Sequence, residues 1–109
     1  MASADYVFIQ GNRKPTFAVQ LLGALDDLPI SLSGSTVGFY FREQGALDAK
    51  VSGVSASVTS ATDGEVEYAW AAGDLDVPGL YDAEFRITFG DGRIQSVLIT
   101  DVVVKEKLA

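Results

Sequence analysis

The stretch Tyr81-Asp82-Ala83-Glu84-Phe85-Arg86-Ile87-Thr88-Phe89 changes character at every residue. Tyr81, Ala83, Phe85, Ile87 and Phe89 form one set; Asp82, Glu84, Arg86 and Thr88 form the other. Successive side chains of a β-strand point to opposite faces, so this period of two predicts a strand with one face in a core and one in water. Residues 65–70 repeat the pattern, with Val66, Tyr68 and Trp70 opposed to Glu65, Glu67 and Ala69. Val37, Phe39 and Phe41 alternate with Gly38, Tyr40 and Arg42, and Phe17, Val19 and Leu21 with Ala18, Gln20 and Leu22.

Three weaker strands complete the set. Residues 6–9 open the chain and stop at Gly11-Asn12, and residues 50–58 form a Val and Ser strand. Residues 93–104 are rich in β-branched side chains, but Val97 and Ile99 fall out of step with Val102 and Val104; a bulge near Thr100-Asp101 would restore one face. Gly90-Asp91-Gly92 reads as a tight hairpin, and Asp26-Asp27-Leu28-Pro29 and Thr62-Asp63-Gly64 as turns, because these residues tolerate φ > 0 or cap a turn. No segment has sustained helical spacing; residues 71–76 could form one helical turn. About seven short strands predict an all-β, two-layer antiparallel sandwich filling residues 1–109 as one domain. Its expected core is Val19, Leu21, Phe39, Phe41, Val66, Tyr68, Trp70, Tyr81, Phe85 and Ile87.

Composition narrows the chemistry. The 109 residues include no Cys and no His, which removes the commonest general base, thiol nucleophiles and the usual zinc, haem and iron–sulfur ligands. The expectation is a protein that is not an enzyme and carries no cofactor or metal. Fifteen Asp and Glu against eight Lys and Arg give a net charge of −7, which repels phosphate backbones and anionic lipid, so neither nucleic acid nor membrane is an expected partner. Met1-Ala2-Ser3-Ala4-Asp5 has no positive n-region followed by an apolar run, so no signal peptide is expected. The longest apolar runs fall far short of a spanning helix.

Asp74-Leu75-Asp76-Val77-Pro78-Gly79-Leu80-Tyr81 leads into the strongest strand. In immunoglobulin-like sandwiches a Tyr near the start of strand F turns its hydroxyl back onto the preceding corner, and Gly79 and Tyr81 fit that corner. Ala83 stands where antibody domains have Cys, and Trp70 precedes the corner rather than lying on the third strand, so the likeness is to sandwich geometry rather than to antibody domains. Asp74 and Asp76 do not reach the ligand density of a calcium loop and are read as turn caps. Tyr6, Phe8 and Tyr40 are the candidate outward aromatics for a partner interface. The parity of the first strand stays open, since either Tyr6 with Phe8 or Val7 with Ile9 could be the buried pair.

Several landmarks share an order along the chain: Phe8-Ile9-Gln10-Gly11-Asn12, Phe17 to Leu22, Pro29 to Val37, Asp63 to Trp70, Asp74 to Phe85, and Thr88 to Arg93. Together they resemble the immunoglobulin-like N-terminal domain of tailed-phage baseplate upper proteins, which also occurs as short free-standing phage proteins. The resemblance implies an immunoglobulin-like β-sandwich and a virion structural role in the tail or baseplate. It implies docking to other phage structural proteins, a homo-oligomeric arrangement in the particle, and the first strand as a candidate open edge. The chain departs from the family in one place: Gln95-Ser96-Val97-Leu98 runs on where relatives often carry a Phe-Pro-Asn-like kink. A capsid decoration or head–tail connector protein would use the same sandwich, and a carbohydrate-binding module is the alternative from another class.

Overall fold

A computed structural model describes residues 6–23 and 25–108. They form eight strands: β1 (Val7–Ile9), β2 (Phe17–Gln20), β3 (Thr36–Glu43), β4 (Val51–Ser55), β5 (Ser57–Ser60), β6 (Glu65–Tyr68), β7 (Gly79–Thr88) and β8 (Ile94–Lys105). One curled sheet has the order β1-β8-β7-β3-β4 and the other β2-β6-β5. The strongly alternating segments supply the long central strands, β7 lying between β8 and β3.

Two expectations need correction. The predicted strand over 50–58 is two strands: β4 pairs with β3 in the five-stranded sheet, and β5 pairs with β6 in the other. The switch falls at Ala56, whose N–H donates to the Val37 carbonyl before the chain crosses over. This segment runs Val-Ser-Gly-Val-Ser-Ala-Ser-Val, with little side-chain area to hold it in either sheet, so pairing with neighbours decides its path. The sheet is also mixed rather than wholly antiparallel, because β1 runs parallel to β8 with Val7 opposite Val103 and Ile9 opposite Lys105. That register resolves the open parity of the first strand. Phe8 is buried and Tyr6 half-buried, while Val7 and Ile9 face solvent. The Phe8 ring lies 5.4 Å from Phe17 and 5.0 Å from Trp70. Burying an aromatic pair removes more apolar area than burying Val and Ile.

The two sheets face each other across one aromatic core. Phe39 of β3 stacks on Tyr68 at the end of β6 at 4.2 Å, and Phe17 of β2 meets Phe85 of β7 edge-on at 5.7 Å. All ten core residues expected from the alternation are buried, joined by Phe8, Leu32, Val51, Leu75 and the inward side of β8. Trp70 is 2% exposed and its Nε1 has no hydrogen-bond partner among the described residues. The lost bond costs about 1–3 kcal/mol, less than the roughly 5 kcal/mol that burying an indole contributes, so packing wins.

The bulge occurs where the parity slips. Tyr81 faces Val102 and Ala83 faces Ile99, which leaves Thr100 and Asp101 together opposite Asp82. Asp101 takes φ 61°, and the extra residue puts Ile99, Val102 and Val104 on the same buried side. The corner also forms: the Tyr81 hydroxyl donates to the Val77 carbonyl at 2.7 Å. Burial, then the charges of Glu43 and Asp76, raise the Tyr81 pKa, so the phenol stays protonated and able to donate. Residues 71–76 make a turn closed by Asp74 N–H to the Ala71 carbonyl rather than a helical turn.

Candidate interaction face

The outward side of the five-stranded sheet carries the most organised set of polar side chains among the described residues. Alternation on β3 sends Phe39 and Phe41 inward and Tyr40 outward, and on β7 it sends Phe85 and Ile87 inward with Glu84 and Arg86 outward. Register then places Tyr40 opposite Glu84 and Gly38 opposite Arg86. No side chain rises from Gly38, so Arg86 leans across: its guanidinium carbon lies 4.1 Å from the Tyr40 ring centroid and Nη1 donates to the Tyr40 hydroxyl at 3.0 Å. On the far side of the ring, Gly53 of β4 has φ +73°, and a Cβ there would sit 3.2 Å from the Tyr40 hydroxyl. Glycine is thus needed for both backbone and space.

The arrangement continues across the sheet. Arg86 Nε donates to Glu84 Oε2 at 3.0 Å, and the Ser96 hydroxyl of β8 donates to the same oxygen at 2.6 Å. Tyr40, Arg86, Glu84 and Ser96 therefore form one connected chain over β3, β7 and β8. Further along the face, Gln44 Nε2 bridges Asp82 and Asp101, 2.9 Å from each carboxylate, so the bulge brings Asp101 into the face. Two shallow depressions of about 220 Å³ flank the Tyr40–Arg86 stack, one toward Arg42, Ala49 and Leu98 and one toward Gly53, Ser55 and Thr88. Pockets for drug-sized ligands begin near 300 Å³. These depressions fit single side chains of a partner better than a free small molecule.

Glu84 sets a pH dependence. The Ser96 hydrogen bond lowers its pKa, partial burial opposes this, and Arg86 lowers it further, leaving it below the ordinary carboxylate value. A carboxyl whose pKa is depressed by folding stabilises the fold above its unfolded pKa and loses that contribution as pH falls through the folded value. In urea unfolding across an acid pH series, wild type and Glu84→Gln should differ at neutral pH and converge only once pH falls through the lowered folded-state pKa, beneath the ordinary carboxylate value. A gap that stays constant into acid would mean these bonds contribute nothing net.

Of the three aromatics picked from sequence, only Tyr40 lies on this face. Phe8 faces the core, so the outward placement expected for it does not occur. Tyr6 is half-buried with its ring 5.0 Å from Phe17, at the edge strand β1. The structure does not bring the three together. Arg86, Glu84, Ser96 and Gly53 were not singled out by sequence; alternation marks Glu84 and Arg86 as outward, but their meeting with Tyr40 depends on strand register. The aspartates of the turns act as caps: Asp74 accepts from the Tyr68 hydroxyl at 2.7 Å and the Ala71 N–H at 2.9 Å, Asp26 from Leu28 N–H, and Asp91 from Arg93 N–H. Burial, and then the bond to Asp74, push the Tyr68 pKa well above the usual phenol value. Comparison of the chain with protein-family models, curated proteins and solved structures returned no match.

Proposed function

We propose that this chain is a non-enzymatic structural component of a tailed-phage particle, a tail or baseplate module built as an immunoglobulin-like sandwich. Support for the fold comes from the strand order. With β2, β3, β6, β7 and β8 read as strands B, C, E, F and G, the order β2-β6-β5 facing β8-β7-β3-β4 follows the B-E-D and G-F-C-C′ arrangement of that fold. The tyrosine corner at the start of strand F agrees with it. Support for the virion role comes from the ordered landmarks of the sequence.

The observation that carries the docking role is the Tyr40–Arg86 stack, fixed from both sides on a rigid sheet. Tyr and Arg are enriched at interface hot spots, and a side chain already held in place loses little entropy on binding. Mass spectrometry of purified particles produced from the same genome should find the chain at stoichiometric copy number. Immunogold labelling should place it on the tail. Labelling of the head would favour a capsid decoration role instead, and absence from washed particles would overturn the virion reading altogether.

A further inference from the structure

The two edges of β8 are covered unequally. On one side it pairs with β7 over nearly its whole length; on the other, β1 covers only Val103, Val104 and Lys105. The stretch before the bulge, Ile94 to Ile99, therefore has no strand on that second side among the described residues. Bonded pairs alternate along an antiparallel ladder. Phe89 N–H donates to the Arg93 carbonyl, so by register Gln95, Val97 and Ile99 bond their backbone groups to β7, and Ile94, Ser96 and Leu98 point theirs away from it. Each of these offers one N–H and one C=O, spread along an edge of about 20 Å.

The other open edges are guarded. β4 is bulged at Gly53, which has φ +73°, and β5 is bulged at Thr59, while β1 and β2 are three and four residues long. Bulges, short length, charged side chains and Pro protect an edge against strand addition. Residues 94–99, Ile-Gln-Ser-Val-Leu-Ile, have no charge and no Pro, and no bulge precedes Thr100-Asp101. This edge is left open.

Its surroundings select the occupant. Ile94 and Leu98 are 62% and 63% exposed on the outward side of the sheet. On the inward side, Leu25, Leu28, Pro29 and Ile30 form with Gln95 a depression of about 510 Å³, and a second of about 470 Å³ adjoins it at Gln95, beside Phe89 and Ile94. Apolar groups thus flank the edge on both faces. Carboxylates stand toward both ends: Asp26 lines the first depression with Asp27 next to it, and Asp101 stands at the bulge, held by the neutral Gln44. The cations alongside, Arg86 and Arg93, are already paired with Glu84 and Asp91.

We infer that the 94–99 edge of β8 accepts an extended segment of another protein by strand addition, a run of β-forming residues with Lys or Arg at each end. Backbone bonds to Ile94, Ser96 and Leu98 hold it in register. Its alternate side chains meet Ile94 and Leu98 on one face and enter the depressions on the other, and its terminal cations reach Asp26 and Asp101. A second copy fits poorly, because pairing two β8 edges antiparallel about a two-fold axis brings Asp26 of each copy toward Asp101 of the other. The seat is separate from the Tyr40–Arg86 stack and adds a second docking surface to the reading above.

Shift titration and amide hydrogen exchange of the full chain, followed by NMR, test it with the synthetic peptide Lys-Lys-Val-Thr-Val-Thr-Val-Lys-Lys as probe. In the free chain the amides of Ile94, Ser96 and Leu98 should exchange fast. The peptide should bind with Kd on the order of 100 μM or tighter and slow these amides at least about tenfold, leaving those of Gln95 and Val97, already bonded to β7, unchanged. The same peptide with Glu in place of Lys should bind at least about tenfold more weakly. Ser96→Pro removes an outward N–H without touching the β7 ladder and should abolish binding; Leu98→Lys keeps the backbone intact and should weaken the Lys-ended peptide through a guarding charge. Absence of binding at about 1 mM, or binding that leaves the three amides fast, would overturn the strand addition. So would slow exchange of these amides in the free chain: at every concentration it would mean that the chain's own residues cover the edge, and at high concentration alone that a second copy does. Particle composition and tail labelling would still decide the virion reading in each of these cases.

Discussion

Gly64→Ala is expected to cost more than about 3 kcal/mol, the largest effect of any single-methyl change in this protein. Gly64 sits at φ +70°, where a side chain costs roughly 1–2 kcal/mol. The space is also taken: a Cβ there would lie 2.7 Å from the Leu21 carbonyl oxygen, 2.8 Å from that of Ile30 and 3.1 Å from Ile30 N. All three are backbone atoms held by the bonds Leu21 N–H to the Gly64 carbonyl and Ile30 N–H to the Leu21 carbonyl, so they cannot yield without breaking the junction between the two loops. Gly45→Ala is the control. Gly45 has φ +88° and open space around its Cβ position, so it should lose only the backbone part, about 1 kcal/mol. Urea denaturation of both variants measures the difference, and equal losses would show that the crowding around Gly64 is not real.

Phe39→Ala should cost about 4 kcal/mol. Phe39 is fully buried, and its ring lies within 6 Å of Phe17, Phe41, Tyr68, Trp70 and Phe85. Phe17 and Tyr68 come from the three-stranded side and Phe41 and Phe85 from the five-stranded sheet, so the truncation opens a cavity at the junction of both layers. Close-packed aromatic neighbours on every side leave little freedom to collapse into it. A domain of this size has roughly 5–15 kcal/mol of total stability, so the variant should sit near its unfolding threshold at body temperature. Leu98→Ala, on the outward face and 63% exposed, should stay within about 0.5 kcal/mol. A Phe39→Ala loss below about 1.5 kcal/mol would mean that the two layers are not clasped by this ring.

Much of this architecture could be read from order along the chain. Alternation in residues 81–89 fixes which side chains of β7 face inward whatever strand lies beside it, because the pleat is a property of the strand alone. The slip at Thr100-Asp101 is equally local: two β-branched pairs out of phase can share a buried face only if one extra residue separates them, and the bulge at Asp101 supplies it. Gly79 and Tyr81 announce the corner because its hydrogen bond closes over four residues, from Tyr81 to Val77. Asp26, Asp74 and Asp91 announce turns for the same reason, their bonds reaching two or three residues.

The candidate face was only half legible. Tyr40, Glu84 and Arg86 are marked as outward by their own strands, but nothing local says that Arg86 lies over Tyr40 or that Ser96 reaches Glu84. Those contacts need the β3–β7 and β7–β8 registers, which join residues 46 and 12 positions apart. Phe8 shows the same limit from the other side. The four residues Tyr6 to Ile9, two apolar of each parity, carry no preference of their own, and the facing of β1 was decided by Phe17 and Trp70 waiting across the core.

The sequence by itself determined the strands with strong alternation, their inward faces, the bulge, the corner and the main turns, since each depends on residues a few positions apart. Tertiary structure alone decided the parallel seat of β1, the passage of residues 50–58 from one sheet to the other, and the Tyr40–Arg86–Glu84–Ser96 chain. The reason is common to all three. Each is a relation between segments distant in the chain, fixed by which apolar surfaces find one another when the two layers close, and no local pattern encodes that choice.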